Sequence, residues 1–333
     1  MRSAPMNPDE VTRALKPRPP LTEKDFKISF EPHVPPPRAG VRVFPATAKG
    51  TVLPRPEGTA VLDEKNLAGY APEHLAFNPV KPILDTHLRR ARFFDPRAEL
   101  PKGRYMATTI FGADNRFTFS DTSFPWCTVG RVDVGGGWGS GCLVGPRHLL
   151  CASHMMTWNP DNSVNQVTFT PSYFDGNGPF GNSGIVHWYA YRKVVGPLLS
   201  GADVQQDYVV LVLSQRLGDI CGWMGTRGYS SDWNGLADWS HIGYPGDISG
   251  GTRPTFQGSV AINQTDGGGD DEEEEHRADV FPGQSGGPLF AWWSGEGWPR
   301  ATGVQSAQNS STNLAGGGND IPNLVNRARS DFP

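Results

Sequence analysis

Ser285 stands in the stretch Phe281-Pro-Gly-Gln-Ser-Gly-Gly-Pro-Leu289, with Gly283 two residues before it and Gly286 and Gly287 directly after. Glycine removes side-chain bulk and permits backbone angles closed to other residues. Such a loop lets the backbone approach a substrate and aim N–H groups at one point, as stabilisation of an oxyanion requires. A serine hydroxyl is a weak nucleophile at neutral pH. It needs a base, usually histidine, and the base needs an orienting carboxylate. Of the eight histidines, His154 follows the apolar run His148-Leu-Leu-Cys-Ala152. The end of a strand is rigid and can face a cleft, which suits a base. Asp207 heads the apolar run Asp207-Tyr-Val-Val-Leu-Val-Leu213, with Asp203 as its local competitor. A carboxylate at the edge of a core needs a partner, and an imidazole N–H can supply one. Taken singly, each residue also has a plain structural reading: a turn serine, a core histidine, a strand-capping aspartate.

The elements that must position these groups are short. At 333 residues the chain is long enough for one large or two modest domains. Gly 41 and Pro 30 favour turns and short strands over long helices. From Thr108 onward, short apolar or alternating runs are separated by Gly, Asn, Asp or Pro, which predicts an all-β sandwich or barrel. Only Ile321–Arg329 reads as a helix, with Pro322 in its first turn. Residues 1–107 differ. Pro17, Pro19, Pro20 and Pro35-Pro-Pro37 stand among many charges, with a patch of helical character at Lys81–Phe94 and basic residues Arg89, Arg90, Arg92, Lys102 and Arg104. This part reads as a pro-segment or docking arm, with a plain flexible tail as the alternative. A net charge of −4 provides no basic field for nucleic acid. No apolar run is long enough to span a membrane. Met1–Pro20 has no apolar core, so no secretory signal is visible; that fits a cytosolic protein, an unusual export route or an incomplete start. The four cysteines form no CxxC pair, and neither a metal site nor a cofactor is expected. The run Asp270-Asp-Glu-Glu-Glu-Glu275 reads as a solvated loop, with a calcium site as the lesser alternative.

In chain order, Gly141-Cys-Leu-Val-Gly145 leads into Leu149-Leu-Cys-Ala-Ser-His154, followed by Asp207-Tyr-Val-Val-Leu-Val-Leu213 and Gly283-Gln-Ser-Gly-Gly-Pro288. This resembles the His–Asp–Ser order of chymotrypsin-fold serine proteases. Ile110-Phe-Gly-Ala-Asp-Asn-Arg116, Gly243-Tyr-Pro-Gly-Asp247 and Gly283-Gln-Ser285 are similar to the glutamyl-endopeptidase (V8-like) branch. The resemblance covers about residues 108–330.

It implies a fold of two six-stranded antiparallel β-barrels of the trypsin-like type: residues 108–215 with His154 and Asp207, and residues 216–333 with Ser285 and the C-terminal helix. It implies a serine endopeptidase, made as a zymogen cleaved between about Lys102 and Ile110. Ser285 would be nucleophile, His154 base, Asp207 orienter, and the N–H groups of Gly283 and Ser285 the oxyanion hole. Substrates would be proteins or peptides, and the enzyme a secreted monomer, with a cytoplasmic location as the alternative. Gln284 stands where trypsins carry an aspartate that pairs with the newly freed N-terminus, and a neutral amide cannot form that ion pair. Gln305 stands where the branch places a histidine that reads acidic substrates. Asp279, six residues before the serine, falls near the trypsin specificity aspartate, and Ser306 and Ala307 are candidates for substrate contacts. The resemblance also suggests two disulfides, Cys142–Cys151 across a hairpin turning at Gly145-Pro-Arg147, and Cys127–Cys221. The competing functions are a catalytically silent relative that binds peptides in the same cleft and, further behind, an esterase or lipase.

Overall fold

A computed structural model describes residues 3–15, 47–56, 67–75, 77–79, 81–82, 110–267, 269–309 and 311–333. In chain order its strands are β1 (Thr47–Lys49), β2 (Thr51–Val52), β3 (Phe117–Thr118), β4 (Val129–Val134), β5 (Gly137–Gly145), β6 (His148–Cys151), β7 (Ser163–Asn165), β8 (Val167–Pro171), β9 (Ser183–Ala190) and β10 (Val209–Leu213). They continue with β11 (Gly225–Thr226), β12 (Trp239–Gly243), β13 (Thr255–Val260), β14 (Ile262–Gly267), β15 (Glu272–His276), β16 (Pro288–Trp292), β17 (Pro299–Gln308) and β18 (Asn313–Gly317). The all-β expectation holds. One sheet runs β10-β6-β5-β4-β8-β9 and closes because β9 pairs back onto β10, giving a six-stranded barrel. The second sheet runs β14-β15-β18-β17-β16-β12-β13-β3, with β11 added beside β17. Only Ala261 separates β13 from β14, so the two form one bent strand that pairs with β12 through its first half and with β15 through its second; this closes the expected second ring of six strands, and β3 adds to β13 at Thr255 and Phe256.

The first barrel explains the unbroken apolar run of β10. Val209, Leu211 and Leu213 join one cluster with Val132, Leu149, Phe169 and Trp188. Val210 and Val212 face a second cluster with Ile242, Phe290 and Val304 of the other sheet. Alternate side chains point to opposite faces of a strand, so both faces of β10 are core. The C-terminal helix, Asp320–Asp331, buries Ile321, Leu324, Val325 and Ala328 in the second cluster. That spacing is one helical stripe.

The cysteine pairing suggested above is corrected: all four cysteines are buried free thiols. Cys142 and Cys151 do lie on the neighbouring strands β5 and β6. The register, however, sets Cys142 opposite Leu150 and Cys151 opposite Gly141. A one-residue offset sends side chains to opposite faces, and the two thiols sit in different core clusters. Cys127 and Cys221 are neighbours, but the Cys127 thiol donates to the Cys221 carbonyl at 3.0 Å. Burial pushes the Cys127 pKa well up, which suppresses the thiolate that oxidation needs.

The acidic run is corrected as well. Glu272–His276 is strand β15, hydrogen-bonded between β14 and β18, with Glu272, Glu273 and Glu274 buried. Glu274 is fully buried, and neither carboxyl oxygen has a hydrogen-bond partner among the described residues. Gly303 and Gly317 lie against that carboxyl, where a Cβ at either would collide with it. Burial, with the charge of Glu272, holds the Glu274 pKa well above its usual 4.5. Burial, with Glu275 and Asp266, pushes Glu273 up to about 7. Acids raised in the folded state give stability that is complete below pH 4.5 and is lost as pH rises through the folded value, at up to about 1.4 kcal/mol per pH unit for each proton. We expect urea midpoints to fall between pH 5 and pH 8. Glu274→Gln, which mimics the protonated acid, should flatten this fall by the share of one proton; an unchanged slope would refute the assignment.

Several described parts of residues 1–107 are tied to the body. Asn7 caps the helix Pro8–Ala14 through a reciprocal capping box with Glu10. The Met6 N–H donates to Trp292 O at 2.7 Å, and Trp293 Nε1 donates to Ser3 O at 3.0 Å. β1 pairs with β7, and β2 adds to β9 in parallel. Arg55 bridges Asp271 and Asp320, at 2.8 and 2.9 Å. The helical patch expected at Lys81–Phe94 lies, beyond its first two residues, outside the described residues.

Candidate active site

β6 and β10 are antiparallel neighbours with Cys151 opposite Val209. His154 lies three residues beyond one end of that pairing and Asp207 two residues before it, so the two meet. His154 sits in the single 3-10 turn Ser153–Met155, which swings the chain off the barrel immediately after β6. The Asp207 carboxylate is fully buried and accepts from the His154 main-chain N–H at 2.7 Å and from His154 Nδ1 at 2.5 Å. A third donor comes from the other sheet: Ser306 Oγ on β17 donates to Asp207 Oδ2 at 2.5 Å. This arrangement fixes the ring and its tautomer, with the proton on Nδ1 and the lone pair on Nε2. Burial pulls the imidazole pKa down, but the Asp207 charge and hydrogen bond outweigh it and hold His154 above its usual 6.5. Gly196 lies along the ring, 3.5 Å from His154 Cδ2 as measured to an added Cβ.

Ser285 is 7% exposed, on the connection between β15 and β16. Main-chain bonds fasten its loop to both sheets. The Ser285 carbonyl accepts from Ser140 N at 2.8 Å, Gly286 N donates to Gln305 O at 2.8 Å, and Gln305 N donates to Gly287 O at 2.9 Å. Gly283 and Gly286 have φ of 99° and 84°, a region that favours glycine. Space demands glycine too, since a Cβ at Gly283 would collide with the Tyr244 carbonyl and one at Gly286 with the Ser140 carbonyl. Ser140 Oγ donates to Gly283 O at 2.8 Å and accepts from Tyr244 N at 2.9 Å. One hydroxyl on β5 thereby links the serine loop to the Gly243–Asp247 loop.

The other sequence candidates are placed as follows. Asp279 accepts from the main-chain N–H groups of Phe111 and Asn115, at 2.7 and 2.8 Å. Gln305 is fully buried, and its Nε2 donates to the carbonyls of Ala307 and Leu314 at 3.1 and 3.3 Å. Both side chains are thus bonded to the chain itself. Ser306 is spent on Asp207.

No protein-family model matches the chain, and no curated protein matches its sequence. Solved structures do match. A Glu endopeptidase in complex with MPD has a TM-score of 0.56 and 19% identity, over 67% of this chain and 100% of that one. The protease Anisep from Arthrobacter nicotinovorans is 23% identical over 63% of this chain and 98% of its own, with a TM-score of 0.47. The chain has the chymotrypsin fold of serine proteases. In this chymotrypsin fold, the first barrel carries His154 and Asp207, and the second sheet carries Ser306 and the Ser285 loop. Two groups escaped the sequence reading. The Ser140 hydroxyl gave no signal, since nothing in Gly139-Ser-Gly141 marks it. Ser306 reads from the sequence as a substrate contact, whereas its hydroxyl turns to Asp207.

Proposed function

We propose that the chain is a serine endopeptidase acting through Ser285, His154 and Asp207. The observation that carries this reading is the buried Asp207 carboxylate, which takes hydrogen bonds from His154 N, His154 Nδ1 and Ser306 Oγ. A strand-capping aspartate has no need of an imidazole and a hydroxyl from another sheet. In the reaction, Ser285 Oγ attacks the scissile carbonyl carbon while His154 Nε2 takes the hydroxyl proton. The resulting oxyanion lies against the N–H groups of Gly283 and Ser285. The C–N bond breaks as His154 returns the proton to the leaving amine. Water then attacks the acyl ester by the same steps, freeing the acid and regenerating the serine. The substrates are proteins or peptides. Trp138, whose indole abuts Gly283, also lines an open groove of about 670 Å³ with Arg131, Asp133 and Gln166, and this groove is the proposed path of the chain beyond the scissile bond. Residues 1–107 are the proposed pro-segment.

The test is covalent. A fluorophosphonate should add to Ser285 in the folded chain, with the modified peptide located by mass spectrometry. A chain that stays unlabelled, both intact and after release of its N-terminal arm, would overturn the reading.

A further inference from the structure

Three stretches that stand far apart in sequence meet beside the nucleophile. Arg116 ends Ile110–Arg116, Asp247 ends the Gly243–Asp247 loop, and Gln284 directly precedes Ser285. The Arg116 side chain is fully buried. A guanidinium has five N–H donors, and here all five are engaged. Nε donates to Asp114 Oδ1 at 3.1 Å, and Nη2 to Asp114 Oδ2 at 3.0 Å and Asp247 Oδ2 at 2.6 Å. Nη1 donates to Asp247 Oδ1 at 3.3 Å and to Gln284 Oε1 at 2.7 Å. Gln284 Oε1 accepts a second bond, from Phe281 N at 3.0 Å, while Gln284 N donates to Phe281 O at 3.0 Å. The amide oxygen therefore closes the turn that carries Gly283. Gly243 packs on the stem of Gln284, 2.9 Å from its Cβ as measured to an added Cβ. The other end of this turn is held as well, because Asp279 grips the main chain at Phe111 and Asn115. The stretch from Phe111 to Arg116 thus staples residues 279 and 284, the two ends of the segment that delivers the Gly283 N–H.

We propose that Arg116 is a positioning residue: by holding Gln284 it sets the Gly283–Ser285 oxyanion site through folding alone, with no newly cut N-terminus required. This rests on the serine-protease reading above. The logic is one of charge supply. A neutral Gln284 cannot form an ion pair with a free α-amine, and its oxygen already takes the Arg116 guanidinium N–H and the Phe281 N–H; a planar fork with fixed donors orients an amide more rigidly than an ammonium would. Asp114 and Asp247 balance the buried cation, so Arg116 stays put whether or not substrate is present.

Removing Arg116 would strand two buried carboxylates and risk the fold. The decisive variant is therefore Gln284→Leu in the full chain, which leaves the Arg116–Asp114–Asp247 ion pairs intact. Loss of an oriented oxyanion donor typically costs on the order of 10²–10³ in turnover. For a donor that is loosened and still present, we expect kcat to fall about tenfold or more, with KM barely moved. Affinity for a peptide aldehyde, whose adduct places an oxyanion in the site, should fall in step with kcat/KM, while affinity for the matching non-covalent peptide amide should stay as it was. Gln284→Glu, which restores an acceptor, should recover most of the loss. A change in KM alone, or none, in Gln284→Leu would overturn the proposal. So would an intact wild-type chain that is inert to fluorophosphonate until its arm is cut, although the protease reading would then survive. A wild-type chain that is inert in every form removes both.

Discussion

Ser285→Ala is expected to reduce kcat by a factor on the order of 10⁶ on any peptide substrate the wild-type chain cleaves. In the proposed mechanism the oxygen it removes makes the acyl bond, and among the described residues the hydroxyls of Ser140 and Ser306 are already engaged, Ser140 with Gly283 and Tyr244 and Ser306 with Asp207. The fold should be indifferent. The loop conformation rests on glycine backbone angles at 283 and 286 and on main-chain bonds to Ser140 and Gln305, none of which needs the hydroxyl. Thermal midpoints of variant and wild type should therefore agree, which separates loss of chemistry from loss of structure. Fluorophosphonate labelling should vanish in parallel. Hydrolysis that persists in the pure variant would move the nucleophile elsewhere.

Asp207→Asn should lower kcat by about 10⁴ while leaving KM nearly unchanged. The site is fully buried, and three donors converge on the carboxylate. An asparagine amide of the same shape presents an NH₂ where one of those donors expects an acceptor. If that NH₂ faces the ring, His154 must carry its proton on Nε2, and the lone pair that should take the serine proton is gone. The pH profile supplies a second readout. As the proposed base His154 must be neutral, so activity is expected to be lost as pH falls through its pKa. Asp207 holds that pKa above the usual 6.5 against the pull of burial. The acid limb of kcat/KM should thus lie above pH 6.5 in the wild type and move to lower pH in Asp207→Asn. A limb that stays in place would mean that another group is titrating.

Much of this site could be read before the structure, and the reasons are local. The histidine and the aspartate each sit at the end of an apolar strand, and an apolar run such as Val209–Leu213 announces itself. The C-terminal helix shows its stripe in Ile321, Leu324, Val325 and Ala328. What could not be read depends on pairing. The turn at Gly145-Pro-Arg147 reveals that β5 and β6 are neighbours but not their register, and a single residue of offset separates Cys142 from Cys151. Glu272–Glu274 carry the composition of a solvated loop. They form a buried strand because β14 and β18 flank them, and that burial holds the Glu274 pKa well above its usual 4.5. The bond from Arg116 to Gln284 spans 168 residues of sequence. Both residues lie in stretches that stand out, yet nothing short of the folded chain says that they touch.

The N-terminal arm has a bearing on how the molecule could be made and unmade. Its first described residues dock on Trp292 and Trp293, its next described strands extend or flank the first barrel at β9 and β7, and Arg55 reaches Asp271 and Asp320. A cut downstream of these anchors would not by itself shed the arm. It would leave a nicked particle of two polypeptides held without a covalent link. Such a particle would unfold as one body but reassemble as a second-order event, so recovery after denaturation would depend on dilution where that of the intact chain would not.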